Sequence, residues 1–365
     1  MININEIPNW ISPPGETILD ILEERGWSQS DLAERTGYTR KHINQLVKGN
    51  ASITEDTALK LERVLGSTAA FWLNREAQYR ELIARKSELE ELKTYIPWLQ
   101  KLPVADMIRF GWIKKYSKRV YQVAECLRYF GVASVESWTS TYENLVLAYH
   151  ASDVFDRKEG SVIAWLRFGE QEAERIDCSD FQKSVLEDNL PKMRLLVKQE
   201  DPSIFLFELK KLCCDSGIVL VVAPTPSGCP VYGLTRWLQP TKGLLMLSLR
   251  YKSNDQFWFS FFHEIAHLLL HGKKMLFLER SHGNLENKAE EEANRWAANF
   301  LIPSVFQRAL RELRPSISQI NNFSDEVGIS PGIIVGRLQR EGLVPWNSQL
   351  NKLKVFYTWD VLGGS

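Results

Sequence analysis

Residues 262–272 read FHEIAHLLLHG and hold three of the six histidines in the chain. His263 and His267 are four apart, so on a helix they share one face, roughly 6 Å apart along the axis. That spacing lets both imidazoles reach one small divalent ion, with ligand distances of about 2.0–2.1 Å for Zn2+. Glu264 projects to the side of the pair, where it can take a proton from water at the ion. The chemistry this pattern suggests is metal-assisted peptide hydrolysis. A Zn2+ ion lowers the pKa of water toward about 7 and polarises a scissile carbonyl. Glu264 would act as general base and then pass the proton to the leaving amine. The competing view, histidines that merely pack on a helix, is weakened because HExxH rarely arises by chance.

His271 continues the same face but lies about 12 Å along the axis from His263, too far for one straight helix to wrap three ligands around one ion. It is expected to cap the helix end beside Gly272, or to line the site. The longer pattern HExxHxxGxxH also fails, because position 270 is Leu and position 273 is Lys. A third ligand must come from another element. The next helical stretch, NKAEEEANRWAANFLIP (287–303), offers Glu290, Glu291 and Glu292. These span most of a turn, so at most one or two of them can face an ion. Tyr232, Arg236 and His271 are candidates to stabilise an oxyanion.

Such a helix needs a scaffold. GIVLVVA (217–223), CPVYGLTRW (229–237) and LLMLSLR (244–250) are β-branched or alternating runs bounded by Gly and Pro, and predict a small sheet just before the histidine helix. An edge of that sheet could present itself to an extended peptide. Residues 103–215 are otherwise mostly helical, with segments near 104–112, 118–130, 160–176, 179–198 and 202–215. Further helices follow near 286–301, 304–312, 316–327 and 331–341.

The N-terminal part has a different character. After an irregular, proline-bearing lead-in over 1–15, apolar residues recur at helical spacing from Glu16 to about Leu89, broken by Gly26, Gly37, Gly49 and Gly66. Within it, 28–48 fit a helix-turn-helix. Ser28 caps one short helix, Gly37 allows the turn, and Thr39 caps a second helix from Arg40 to about Lys48. Leu32, Ala33, Ile43 and Leu46 should face inward. The start of the second helix would meet base edges in the major groove, offering Arg40 for guanine and Asn44 for adenine, with Lys41 beside them. Gln29, opening the first helix, is placed for a phosphate. Residues 1–80 hold nine basic and eleven acidic side chains, so this is no general polyanion binder. Residues 39–49 hold three basic residues and no acids. Tight binding would rest on that patch and on a homodimer. SISQINNFSDEVGISPGIIVGRLQREGLV (316–344) mimics the same pattern, but its second helix opens with Gly332, Ile333 and Ile334, which suits packing better than base reading.

The 365 residues suffice for two or three domains. At 44% hydrophobic residues, with twelve Trp and seventeen Phe, a disordered chain is excluded. Lys+Arg and Asp+Glu are both 45, so net charge selects no partner. No signal peptide opens the chain and no apolar run approaches the ~20 residues of a membrane helix, so a cytoplasmic protein with no membrane association is expected. The five cysteines (126, 178, 213, 214 and 229) include no CxxC and are expected to be free thiols, the adjacent 213/214 pair being a remote candidate for redox chemistry.

Resemblance sharpens these readings. WSQSDLAERTGYTRKHINQLVKGNASITEDTALKLERVLGSTAAFWLNREAQY (27–79) resembles the Cro/C1-type helix-turn-helix of HigA-type antitoxins. HEIAHLLLHG followed by EEEANRWAANFLIP resembles the ImmA/IrrE-type metallopeptidases, a gluzincin-like group. WLRFGEQEAE (165–174), GLTRWL (233–238) and FWFSFFHEIAHLLLH (257–271) look like segments of proteins that fuse the two, and 90–160 is the least specific part. The resemblance implies Glu290 as the third ligand and Asn294 as the support of a ligand histidine, with Glu291 the alternative ligand and Glu292 solvated or in an ion pair.

The expected architecture is therefore mainly α with a small β-sheet, an α+β chain. A helix-turn-helix domain (1–90) and a helical connecting region (91–200) precede a gluzincin-like zinc metallopeptidase domain (201–350). The expected activity is that of an operator-binding transcriptional regulator whose peptidase cleaves a protein partner such as a repressor or toxin. The alternative is an antitoxin or autorepressor whose peptidase-like domain binds its partner without cutting it.

Overall fold

A computed structural model of the chain describes residues 12–149, 158–248, 253–271, 277–280 and 288–357. Most of the expected lead-in over 1–15, and Gly272, lie outside them. The fold divides into two compact units, Met1–Ile96 with Tyr116–Ala124, and Pro97–Lys115 with Glu125–Ser365. It is mainly helical with one small sheet, as expected.

The first unit contains α1 (Pro14–Glu24), α2 (Gln29–Thr36), α3 (Arg40–Val47), α4 (Glu55–Leu65) and the long α5 (Ala69–Thr94). Ser28 caps α2 in a reciprocal box with Asp31, each side chain accepting from the other residue's main-chain N–H. Two otherwise unsatisfied amides are thereby paired at the helix start. Gly37 ends α2 at φ 72°, the left-handed conformation that glycine adopts without steric cost. Two residues later Thr39 caps α3 by accepting from His42 N. Leu32, Ala33, Ile43 and Leu46 are all buried, joined by Ile18, Leu61 and Trp72 in one core. Leu19 and Leu59, also at helical spacing, face outward.

In the second unit α6 (Val104–Arg109), α8 (Val135–Tyr149), α9 (Lys158–Arg175), α10 (Lys183–Leu195) and α11 (Pro202–Asp215) precede the sheet, and α7 (Arg119–Phe130) spans the division of the units. The strands are β1 (Ile218–Val222), β2 (Val231–Gln239), β3 (Lys242–Leu247) and β4 (Phe277–Arg280), in the order β1-β3-β2-β4. β1 runs parallel to β3, while β2 is antiparallel to both β3 and β4. β4 lies outside the three predicted strands.

Strand side chains alternate between faces, and here the alternation divides the core. Ile218, Leu220, Leu245 and Leu247 join the cluster built around α12 (Asn254–Leu270). Val219, Val221, Leu244 and Met246 join Val162, Trp165 and Leu166 of α9 on the other side. The sheet is thus the middle of three layers. The histidine helix α12 is apolar nearly all round, so it is buried nearly all round. Trp258, Phe261 and Phe262 are each fully buried, and each such side chain contributes about 1.5–3 kcal/mol through the hydrophobic effect.

The helices α13 (Lys288–Leu301), α14 (Gln307–Glu312), α15 (Ile317–Val327) and α16 (Pro331–Arg340) follow. Gly332, Ile333, Ile334 and Val335 of α16 are buried, and α16 packs on α12. The second helix-turn-helix-like stretch therefore closes the domain core. The start of α12 is held by the C-terminal stretch. Asn254 N donates to Val355 O at 2.8 Å, and Lys354 Nζ meets Asp255 Oδ2 at 2.7 Å with both side chains buried.

The expectation of five free thiols fails for two of them, because Cys178 and Cys214 form a disulfide. Successive helical positions differ by about 100°. At the end of α11, Cys213 points into the core while Cys214 meets the loop that follows α9. Cys126, Cys213 and Cys229 are free and buried, and burial pushes the Cys213 thiol pKa up.

Candidate metal centre

Helix α12 sets His263 and His267 one turn apart, with their Nε2 atoms 3.0 Å from each other. From α13, Glu290 reaches across with one carboxylate oxygen toward each ring. Its Oε2 lies 3.2 Å from His263 Nε2 and its Oε1 lies 3.3 Å from His267 Nε2. Among the described residues these three form a cluster able to hold a metal ion. Four ligands at about 2.0–2.1 Å from a tetrahedral ion are spaced by about 3.3 Å. The observed separations are close to that, so two neutral imidazoles and one carboxylate fit Zn2+ in size and in donor chemistry.

The protonation states suit the same task. Burial pushes the His267 imidazole below its ordinary pKa, an effect only partly opposed by Glu290, and so favours the neutral ring with a free lone pair. For Glu290, burial resists ionisation, but hydrogen bonds from His263 and His267, and the charge those rings carry when protonated in acid, outweigh it and hold the carboxyl at about 2. Of the three consecutive acids, Glu291 is exposed and Glu292 is half exposed with its carboxylate toward His271. Asn294 is half-buried, one turn beyond Glu290.

Glu264 is fully buried and stands apart from the three-donor cluster. Its carboxylate accepts a hydrogen bond from the Thr235 hydroxyl on β2. Gly233, on the same strand face, leaves the room it occupies, since a Cβ there would stand 2.5 Å from Glu264 Oε1. Neither residue was singled out from sequence. Their period-two spacing was visible in GLTRWL, but not which strand would underlie the helix. Arg236, between Thr235 and Trp237, belongs to the opposite sheet face and pairs with Glu170 of α9. Tyr232 is half-buried, and its carbonyl accepts from Ser248 N. His271 is the C-cap of α12, its N–H donating to His267 O at 3.1 Å.

The nucleic-acid-reading candidates gather at the starts of two helices. Arg40 and Lys41 are exposed in the first turn of α3. Asn44, one turn further on, donates from Nδ2 to Gln29 Oε1 at 3.4 Å, tying α3 to the first residue of α2. No described helix is long and apolar enough to cross a membrane.

Comparison with known proteins follows this division. Residues 221–339 match the IrrE N-terminal-like domain of the peptidase M78 family, and residues 18–72 match a helix-turn-helix family. The chain is 33% identical over 94 residues to Virulence-associated protein I of Dichelobacter nodosus, covering 26% of this chain and 84% of that protein. It is 38% identical over 56 residues to Antitoxin HigA-1 of Vibrio cholerae, covering 15% of this chain and about half, 52%, of that one. A crystal structure described as an antidote protein of a plasmid maintenance system, from Nostoc punctiforme, shares 33% identity and covers 22% of this chain and 90% of its own, with a TM-score of 0.22. The chain therefore belongs to the proteins that join a HigA-type helix-turn-helix domain to an ImmA/IrrE-type metallopeptidase domain.

Proposed function

We propose that this chain is an operator-binding regulator, acting in the cytoplasm as a homodimer, whose second domain is a Zn2+-dependent endopeptidase directed at a protein partner such as a repressor or toxin. The observation that carries the reading is the convergence of His263, His267 and Glu290, with a fourth acid, Glu264, close by but outside the ligand set. The three converging residues would hold the ion, which when bound supplies a Lewis acid for the scissile carbonyl. Glu264 would take the proton from the attacking water and deliver it to the leaving amine. Thr235 holds one carboxylate oxygen of Glu264 and so orients the base. On the DNA side, α3 would enter the major groove with Arg40, Lys41 and Asn44 toward base edges, while Gln29 at the start of α2 meets a phosphate.

One observation favours a second reading. Glu264 is fully buried with its carboxylate engaged by Thr235, and if that burial shuts it off from substrate and water the domain would bind a partner without cutting it. The two readings separate on one pair of variants. Under the peptidase reading, Glu264→Gln retains zinc and loses cleavage of the partner, while His263→Ala loses zinc. Equal partner levels with wild type and Glu264→Gln, alongside unchanged operator binding, would favour the binding-only reading.

A further inference from the structure

A third imidazole stands behind the metal centre. His271 leaves α12 in extended conformation, φ −112° and ψ 156°. Its Nδ1 lies 3.0 Å from the Nδ1 of His267. Two neutral imidazole nitrogens at that distance must divide the roles, one donating a proton and one accepting it. Geometry at the far side of each ring decides which. His267 turns Nε2 toward His263 Nε2 and Glu290, so cation binding there requires a lone pair on Nε2. The single proton of His267 then sits on Nδ1, and His271 Nδ1 must accept it. The proton of His271 is left on Nε2, which faces Glu292 Oε2 at 3.5 Å, an electrostatic contact of the right sign. The protons of His267 and His271 are thereby assigned without conflict, with the Glu292 carboxylate on the outer side of His271.

We propose that His271 is a positioning residue of the metal centre, accepting the Nδ1–H of His267 and so fixing the tautomer and ring plane that present Nε2 to the ion. The inference rests on the reading that His263, His267 and Glu290 hold zinc. A ligand imidazole with no such partner samples both tautomers and several ring orientations, and only one of these binds. Partners of this kind are worth about 10–100-fold in metal affinity. The capping bond of His271 is made by its backbone N–H, so truncating the side chain spares the cap.

The test is zinc affinity of the full chain, measured by competition with a chromogenic chelator for wild type, His271→Ala and His271→Asn. The Asn side chain sets its Oδ1 close to where the histidine has Nδ1, and can accept the same proton. Wild type is expected to bind one zinc. His271→Ala should keep that stoichiometry with affinity weakened about 10–100-fold, and His271→Asn should recover most of the loss. Thermal midpoints of the three metal-free proteins should agree, which separates positioning from a folding defect. Equal affinity for wild type and His271→Ala overturns the proposal, as does His271→Asn binding no better than His271→Ala. Zinc lost altogether from His271→Ala, with an unchanged metal-free midpoint, would also overturn it and make His271 a ligand. Wild type binding no zinc would instead defeat the underlying metal reading, an outcome visible in the wild-type arm alone.

Discussion

Thr235 on β2 donates its hydroxyl to the carboxylate of Glu264 on α12, tying the middle of the sheet to the acid beside the candidate ion. A hydrogen bond to a charged group contributes about 1.5–3 kcal/mol, and its loss also frees the acceptor to reorient. Under the peptidase reading, this contact would make the sheet a positioning element for Glu264 as well as a support for the helix.

The strand beneath Glu264 should therefore be sensitive to single methyl groups. Gly233→Ala would set a Cβ 2.5 Å from Glu264 Oε1 and displace the carboxylate. Partner cleavage is expected to fall by about 100-fold or more, the scale of a lost general base. Zinc content should stay at the wild-type level, because Glu264 is outside the ligand set. Thr235→Val should reduce cleavage more than Thr235→Ser, which keeps the hydroxyl. Loss of zinc from Gly233→Ala would show that the strand supports the ligands instead.

Removing one partner of the buried Lys354–Asp255 pair should loosen the start of α12. Lys354→Ala leaves Asp255 buried without its cation, at a cost of about 3–5 kcal/mol. Lys354→Met together with Asp255→Leu should cost much less, since no uncompensated charge remains. Urea unfolding of the metal-free proteins checks the order, and equal midpoints for the two variants would contradict it.

Acid should destabilise the metal-free domain in a defined direction. His267 has its pKa lowered by burial from 6.5, so below pH 6.5 the unfolded chain binds a proton that the folded one refuses. Folding stability falls as pH drops through that window. Glu290, held at about 2 against 4.5, acts in the same direction lower down, its contribution being lost as pH falls from 4.5 toward 2. The urea midpoint of wild type is expected to fall between pH 7 and pH 5.5 more steeply than that of His267→Gln. Equal slopes would remove His267 as the source.

On the DNA side, Arg40→Ala is expected to weaken operator binding by about 1–3 kcal/mol and relax the preference at one base pair. Lys41→Ala should weaken binding more evenly across sequences and flatten its salt dependence. Asn44→Ala also removes the contact to Gln29, so it should disturb the start of α2 as well as base reading. Electrophoretic mobility or anisotropy titrations at two salt concentrations would separate these effects. A double variant Arg40→Ala/Asn44→Ala that binds its own promoter unchanged at physiological salt would move the interface elsewhere.

Much of this molecule is local and was therefore readable in one dimension. The turn between α2 and α3 needs a cap, a glycine and a second cap at fixed offsets, and Ser28, Gly37 and Thr39 supply them. The pairing of His263 with His267 follows from helical pitch alone. The short apolar runs that became β1 and β3, β-branched or aliphatic and bounded by Gly and Pro, announced strands by composition and length. Other features depend on which element packs on which, and that is settled by burial summed over the whole core. Sequence spacing allowed any of three acids to face the histidine pair, and it is the packing of α13 across α12 that brings the carboxylate of residue 290 beside His263 and His267. Nothing in GLTRWL says that Gly233 and Thr235 lie under Glu264 while Arg236 belongs to the other face. The Cys178–Cys214 link joins residues 36 apart, and it overturned an expectation drawn from spacing because only the approach of α11 to the loop after α9 brings the two sulfurs together. Chemistry carried by residues one helical turn apart was written in the chain, whereas chemistry that requires two elements to meet was decided by the packing.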